Sequence, residues 1–261
     1  MKRNLLLAAT LLMSGVAVLP AQEISNDANP LFHPLSIRMG TIVVPPVTGV
    51  PFSATALIEN KLLMPDGTTA TTRNINLIGR DFRGRTHGEM RMRVPETFQG
   101  MPPLVEVHLY DPQTGVQTVY EPATHIARRQ LRPEPRQVNN PSNPANPFVK
   151  VEDLGISTID NIEVKGTRRT VTIPAQANGT GADLTVVDEY WYSEDLHLNL
   201  LLRHSDPRTG EQTITLSDIK REEPAQEFFE VPQDYKIVDM TPPEGAPVLH
   251  GNKGIRGGTI P

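Results

Sequence analysis

The sequence contains no cysteine. That excludes disulfides, thiol catalysis and a cysteine-borne lipoprotein anchor. It has few aromatics, with one Trp, five Tyr and seven Phe. No segment carries the helical spacing of apolar residues that a long amphipathic helix needs, so little helix is expected. No apolar run beyond the first twenty residues is long enough to span a membrane. The chain has no Gly-x-Ser-x-Gly nucleophile elbow. The glycine-rich stretch Gly254-Ile255-Arg256-Gly257-Gly258 lies in the tail, without a strand before it or a helix after it, and does not read as a phosphate loop. Formal charge is −5, unremarkable for a solvated surface.

What is present is proline, 25 of them. They concentrate at 30–51, 133–147 and 242–261. Proline cannot donate to a sheet ladder, so these stretches read as connections or tails. The start reads as a secretory signal: Lys2 and Arg3, an apolar run from Leu5 to Leu19, then Leu19-Pro20-Ala21. Cleavage is expected after Ala21, with Ala17 as the alternative. A mature chain of about 240 residues is long enough for a core that needs no disulfide.

One turn is written twice, Asp111-Pro112-Gln113-Thr114-Gly115 and Asp206-Pro207-Arg208-Thr209-Gly210. Asp can cap such a turn, Pro presets its first φ, and Gly returns the chain into the next strand. Each copy is flanked by alternating apolar and polar residues, so each marks a β-hairpin. The same alternation runs through Phe52, Ala54, Ala56 and Ile58, through Val105, Val107 and Leu109, and through Leu196, Leu198, Leu200 and Leu202. The expected fold is mainly β, a curved antiparallel sheet or half-barrel of meandering hairpins with little helix. Its expected organisation is a signal peptide at 1–21, a Pro-rich flexible leader at 22–49, one β-domain at 50–239 and a disordered tail at 240–261. Within that domain, strand blocks 50–130 and 150–239 are joined by a flexible linker, 131–149. Ala225 to Phe229 has room for one helical turn between Pro224 and Pro232.

Chemistry-bearing residues are present but dispersed. Seven histidines show no short metal-ligand spacing, so no metal site is expected, and His87 and His108 fall on the polar faces of their strands. The carboxylate pairs Glu152-Asp153, Asp188-Glu189 and Glu194-Asp195 are adjacent on strands and point to opposite faces, which does not make acid–base pairs. Residues 59–136 hold 11 Lys/Arg against 9 Asp/Glu, and residues 150–239 hold 9 against 18. Arg73, Arg80, Arg83, Arg85, Arg91 and Arg93 read as a solvated strand face. With Phe82 as the only nearby aromatic, no nucleic-acid partner is expected. The aromatic run Tyr190-Trp191-Tyr192 reads as core packing or as a cavity wall.

An ordered set of motifs resembles a family of secreted, uncharacterised proteins abundant in acidobacteria. It comprises Pro51-Phe52-Ser53-Ala54, Arg80-Asp81-Phe82-Arg83-Gly84-Arg85 and the Asp111-Pro112 hairpin. It continues with Val151-Glu152-Asp153-Leu154-Gly155, Gly166 to Pro174, Glu189-Tyr190-Trp191-Tyr192-Ser193, Ser205-Asp206-Pro207-Arg208 and Phe229 to Tyr235. That family implies no activity. More remotely, the layout resembles the half-barrel of periplasmic lipoprotein carriers and outer-membrane lipoprotein-sorting proteins. The resemblance implies a curved sheet around an apolar cavity that takes acyl chains. The chain departs from it in a Pro-rich region before Val50 and in having no lid helix.

The functional expectation is an exported, non-enzymatic binding protein of the periplasm or cell envelope. Its ligand would be a lipid or other apolar molecule, or a lipidated protein. Phe52, Tyr190, Trp191, Tyr192, Leu198 and Leu200 are the candidate ligand-binding residues. No cofactor is expected, and no membrane span after signal cleavage. The alternative is an envelope scaffold that binds a protein partner through sheet edges and Pro-rich tails. A hydrolase comes third, and it would need a cleft joining His197, His87 or His108 to a carboxylate and a nucleophile. The apolar strand faces exceed what one thin sheet can bury against itself, so other strands, the tails or a ligand must cover them.

Overall fold

The computed structural model describes residues 42–132 and 146–241. Period-two alternation has one outcome here, a single large mixed sheet that does not close into a barrel. The first block supplies β1 (Phe52–Leu63), β2 (Thr69–Arg80), β3 (Thr86–Arg91), β4 (Val94–Pro95), β5 (Leu104–Asp111), β6 (Val116–Glu121) and β7 (Ile126–Leu131). The second supplies β8 (Val149–Ile159), β9 (Ile162–Ile173), β10 (Leu184–Ser193), β11 (Leu198–Asp206), β12 (Gly210–Lys220) and β13 (Lys236–Asp239). One helical turn, α1 (Ala175–Asn178), interrupts the loop after β9, and a 3-10 turn at Gln226–Phe229 occupies the place between the two prolines.

The strand order is β13-β7-β6-β5-β3-β2-β1-β12-β11-β10-β9-β8, with β4 beside β2. The chain meanders outward from β1 to β7, resumes at the opposite edge with β8, and meanders back until β12 pairs β1. All pairings are antiparallel except that of β13 with β7. Both repeated turns form as the sequence indicates. Asp111 accepts from the amide of Gln113 at 2.9 Å, and Asp206 from that of Arg208 at 2.9 Å. Gly210 adopts φ 97°, and a Cβ there would overlap the carbonyl of Lys61 on β1, so no larger residue fits.

Two apolar clusters lie on opposite faces of this sheet. The larger is built from alternate residues of β1, β11 and β12, including Phe52, Ala56, Leu198, Leu200, Ile214 and Leu216. The β8–β9 hairpin curls over it, adding Ile162 and Val164 to the core, and its tip residue Asp160 accepts from the amide of Ile219 at 3.0 Å. The end of the Pro-rich leader covers the rest. Ile42 is buried in this cluster and Val44 and Val50 pack against it, so the packed chain begins before Val50. Strands and leader together thus cover Phe52, Leu198 and Leu200, while Val105, Val151 and Ile156 stay exposed.

The second cluster is Val107, Leu109, Tyr120 and Ala127 on β5, β6 and β7, with Leu104, Val231 and Tyr235 against it. Gly79, His87 and Leu109 are directly opposite one another on β2, β3 and β5, and Gly79 alternates with Ile78 of the first cluster. The two clusters therefore use opposite sides of the pleat. Residues 221–241 run across this second face as a strap that ends in β13. Among the described residues, no helix is long and apolar enough to cross a membrane. The expected signal peptide and most of the expected leader, linker and tail lie outside the described residues.

Candidate functional site

The candidate residues divide. Phe52, Leu198 and Leu200 come together in the first cluster with no exposed surface, and Tyr190 and Trp191 pack against them half-buried. Tyr192 is half-buried and lies beyond a register shift between Trp191 and Tyr192. Trp191 lies against Gly166 on the neighbouring strand, where a Cβ would come within 2.8 Å of the indole. The indole N–H is buried with no hydrogen-bond partner among the described residues. Among the described residues, the buried side chains of this face pack against one another and against these half-buried neighbours.

The histidines behave differently from their sequence reading. His87 is buried, with its ring on Phe228 at a centroid distance of 3.7 Å and 18° between planes. Its Nδ1–H donates to the Phe228 carbonyl. Burial drives its pKa down to about 4, so the ring is neutral at pH 7. Period two places His87 on a face but does not reveal that the strap would cover that face. Three other histidines pair with carboxylates: His108 with Glu106 at 2.8 Å, His125 with Asp234 at 2.8 Å and His204 with Asp188 at 2.7 Å. No serine hydroxyl among the described residues hydrogen-bonds any of these rings. No three His, Asp or Glu side chains among the described residues converge as a metal site.

Arg80 departs furthest from the solvated face expected of the arginine group. It has no exposed surface, and its guanidinium donates to the carbonyls of Val50 (2.9 Å), Pro45 (2.8 Å) and Leu196 (2.7 Å). Burial lowers its pKa to about 10, so it is still charged at neutral pH. The adjoining Asp81 is buried and accepts from the Arg85 amide (2.7 Å) and Nε (2.6 Å). The amide of Phe82 donates to Glu223 of the strap at 2.8 Å, and its carbonyl accepts from Gly49 of the leader at 2.8 Å. The motif Arg80 to Arg85 therefore ties leader, strap and the β10–β11 turn to one point. Its partners come from distant segments, and no local pattern signals them.

Beside this knot lies a cleft of about 510 Å³ between the strap and β5, β6 and β7. Leu109, Val116, Phe229 and Ile237 supply apolar wall, Arg85 and Arg129 supply cations, and Asp111 and Glu230 supply carboxylates. Arg85 is held by Asp81 and lies over the Phe229 ring, 5.1 Å from its centroid. The Arg129 guanidinium makes no hydrogen bond among the described residues, and Asp239 sits opposite it on β13. Tyr120 lies in the neighbouring apolar cluster, and burial pushes its phenol up to about 12. The volume falls in the range of small-molecule sites, and the lining mixes apolar side chains with charged and hydroxyl-bearing ones.

No protein-family model matches the chain, and no curated protein does. Solved structures similar to it include a Pseudomonas aeruginosa MucA/MucB complex, at 11% identity and TM-score 0.38, over 72% of this chain and 58% of that one. An uncharacterized conserved protein from Thermus thermophilus aligns at 10% identity and TM-score 0.39, over 73% of this chain and 91% of its own. A LolA superfamily protein from Nitrosomonas europaea aligns at 13% identity and TM-score 0.30, over 70% and 91%. The chain thus spans under two thirds of the MucB structure.

Proposed function

We propose that this is an exported, non-enzymatic binding protein of the cell envelope, and that it takes an amphiphile with an acyl chain and an anionic head. The observation that carries the reading is the cleft under the strap. Leu109, Val116, Phe229 and Ile237 offer an apolar wall, and Arg129, facing Asp239 across the β7–β13 pairing, offers a cation. An acyl chain would lie against the wall and the head group would meet Arg129. The cluster around Phe52, Trp191, Leu198 and Leu200 serves in this reading as the core that holds the sheet's curvature. Its residues are covered by the β8–β9 hairpin and the leader. The histidine–carboxylate pairs serve as contacts on the surface and strand faces.

Native mass spectrometry of the chain, purified without detergent and followed by solvent extraction, tests the reading. A bound mass that extracts as an anionic lipid supports it. A clean unliganded mass, with no uptake of a fluorescent fatty acid, overturns it.

A further inference from the structure

The edge strand β8 carries an inference independent of the cleft. It is 11 residues long and lies at one end of the sheet, whereas the opposite edge, β13, has 4 residues. Long open edges invite pairing unless they are blunted. This one exposes Phe148 (48%), Val151 (59%) and Ile156 (72%). A register shift between Asp153 and Gly155 breaks the strand at Leu154, so a regular pairing surface runs from Phe148 to Asp153.

Backbone direction fixes which residue can lie at the centre of a pairing. The Phe148 carbonyl accepts from the amide of Thr172 on β9 at 2.8 Å. On this half of β8 the even-numbered residues therefore address β9, and Val151 turns its N–H and C=O outward. Charge then fixes the partner. Glu152, Arg168, Glu189 and Arg203 are directly opposite one another on β8, β9, β10 and β11, a row of alternating sign. Arg168 donates to Glu189 at 2.6 Å, and Arg203 lies 3.6 Å from Glu189. Among the described residues the row stops at Glu152, because the sheet stops there. A cation on one further strand would continue it.

We infer that β8 pairs antiparallel with β8 of a second copy of this chain, about a two-fold axis at Val151. In that register Val151 meets Val151, Lys150 of each copy meets Glu152 of the other, and Val149 meets Asp153. Centring on Lys150, Glu152 or Asp153 would set like charges opposite each other, which destabilises strand pairs. The Lys150–Glu152 ion pair within each strand, 2.8 Å long, becomes one side of a square of four alternating charges. The interface is isologous and closes on itself, so assembly stops at the dimer.

Sedimentation of the purified chain tests this, with circular dichroism to confirm that each variant is folded. The wild type is expected at twice the chain mass. Lys150→Glu and Glu152→Lys each place like charges across the axis and are expected at the chain mass. Mixed together, the two variants complement each other at both contacts and are expected to form a heterodimer. Val151→Cys adds the chain's only thiol, and a hydrogen-bonded antiparallel pair brings its two copies within disulfide reach. It is expected to oxidise to a covalent dimer. A monomeric wild type at its highest soluble concentration overturns the inference. So does a dimer that both charge variants leave intact, or a mixture of the two that stays monomeric.

Discussion

Phe228 of the strap lies flat on the imidazole of His87 and accepts its Nδ1–H through its own carbonyl. A proton on that ring would leave a charge beneath an aromatic cover. Burial holds the folded pKa near 4, against an unfolded value of 6.5. With the folded value depressed, the unfolded state binds the proton more readily below pH 6.5. The stability His87 contributes is complete above that pH and is lost as pH falls from 6.5 towards 4. The loss is on the order of 3 kcal/mol. Urea denaturation at pH 7 and pH 4.5 checks it, and His87→Phe should remove this component of the pH dependence while keeping the stack.

Arg80 should be among the most sensitive positions in the chain. Its removal leaves the carbonyls of Pro45, Val50 and Leu196 without their buried donor. Arg80→Met is expected to cost about 1–3 kcal/mol for each buried carbonyl left without a donor. Arg80→Lys should recover only part of this, because one ammonium cannot reproduce the three-way fork. Hydrogen exchange should show the Pro45–Val50 segment losing protection first.

Gly166→Ala places a methyl where the indole of Trp191 sits 2.8 Å away. The overpacking should cost about 1–3 kcal/mol. Trp191 is the only tryptophan, so a shift in fluorescence maximum reports the displacement directly.

Arg129→Ala should weaken binding of a fatty acid about tenfold, or ~1.4 kcal/mol, and leave binding of the matching fatty alcohol unchanged. Paired titrations of acid and alcohol separate the head-group contact from the apolar wall.

The meander was legible because strand alternation and turn chemistry are local. Asp111 and Asp206 cap their turns as their neighbours demand, and Leu198, Leu200 and Leu202 mark a strand without reference to anything distant. Period two assigns residues to faces but leaves open what covers each face. Phe52 and Leu198 are covered by a hairpin tip at Asp160 and by Ile42 of the leader, His87 by Phe228, more than 100 residues away in sequence. Arg80 read as one more cation on a charged strand, since carbonyl partners leave no mark in side-chain composition. The cleft at Leu109 and Arg129 was illegible for the same reason. It exists only because β13 adds parallel to β7, a pairing that Lys236 to Asp239 do not announce.

The most direct test of the central claim is titration of a fluorescent fatty acid into the chain and into two single variants. Ile237→Arg blocks the cleft at an exposed position, and Ile156→Arg changes an exposed residue of β8, which does not line the cleft. Saturable binding is expected to the wild type and to Ile156→Arg, and its loss in Ile237→Arg. Binding that Ile237→Arg leaves intact, or no binding to the wild type, would contradict that claim.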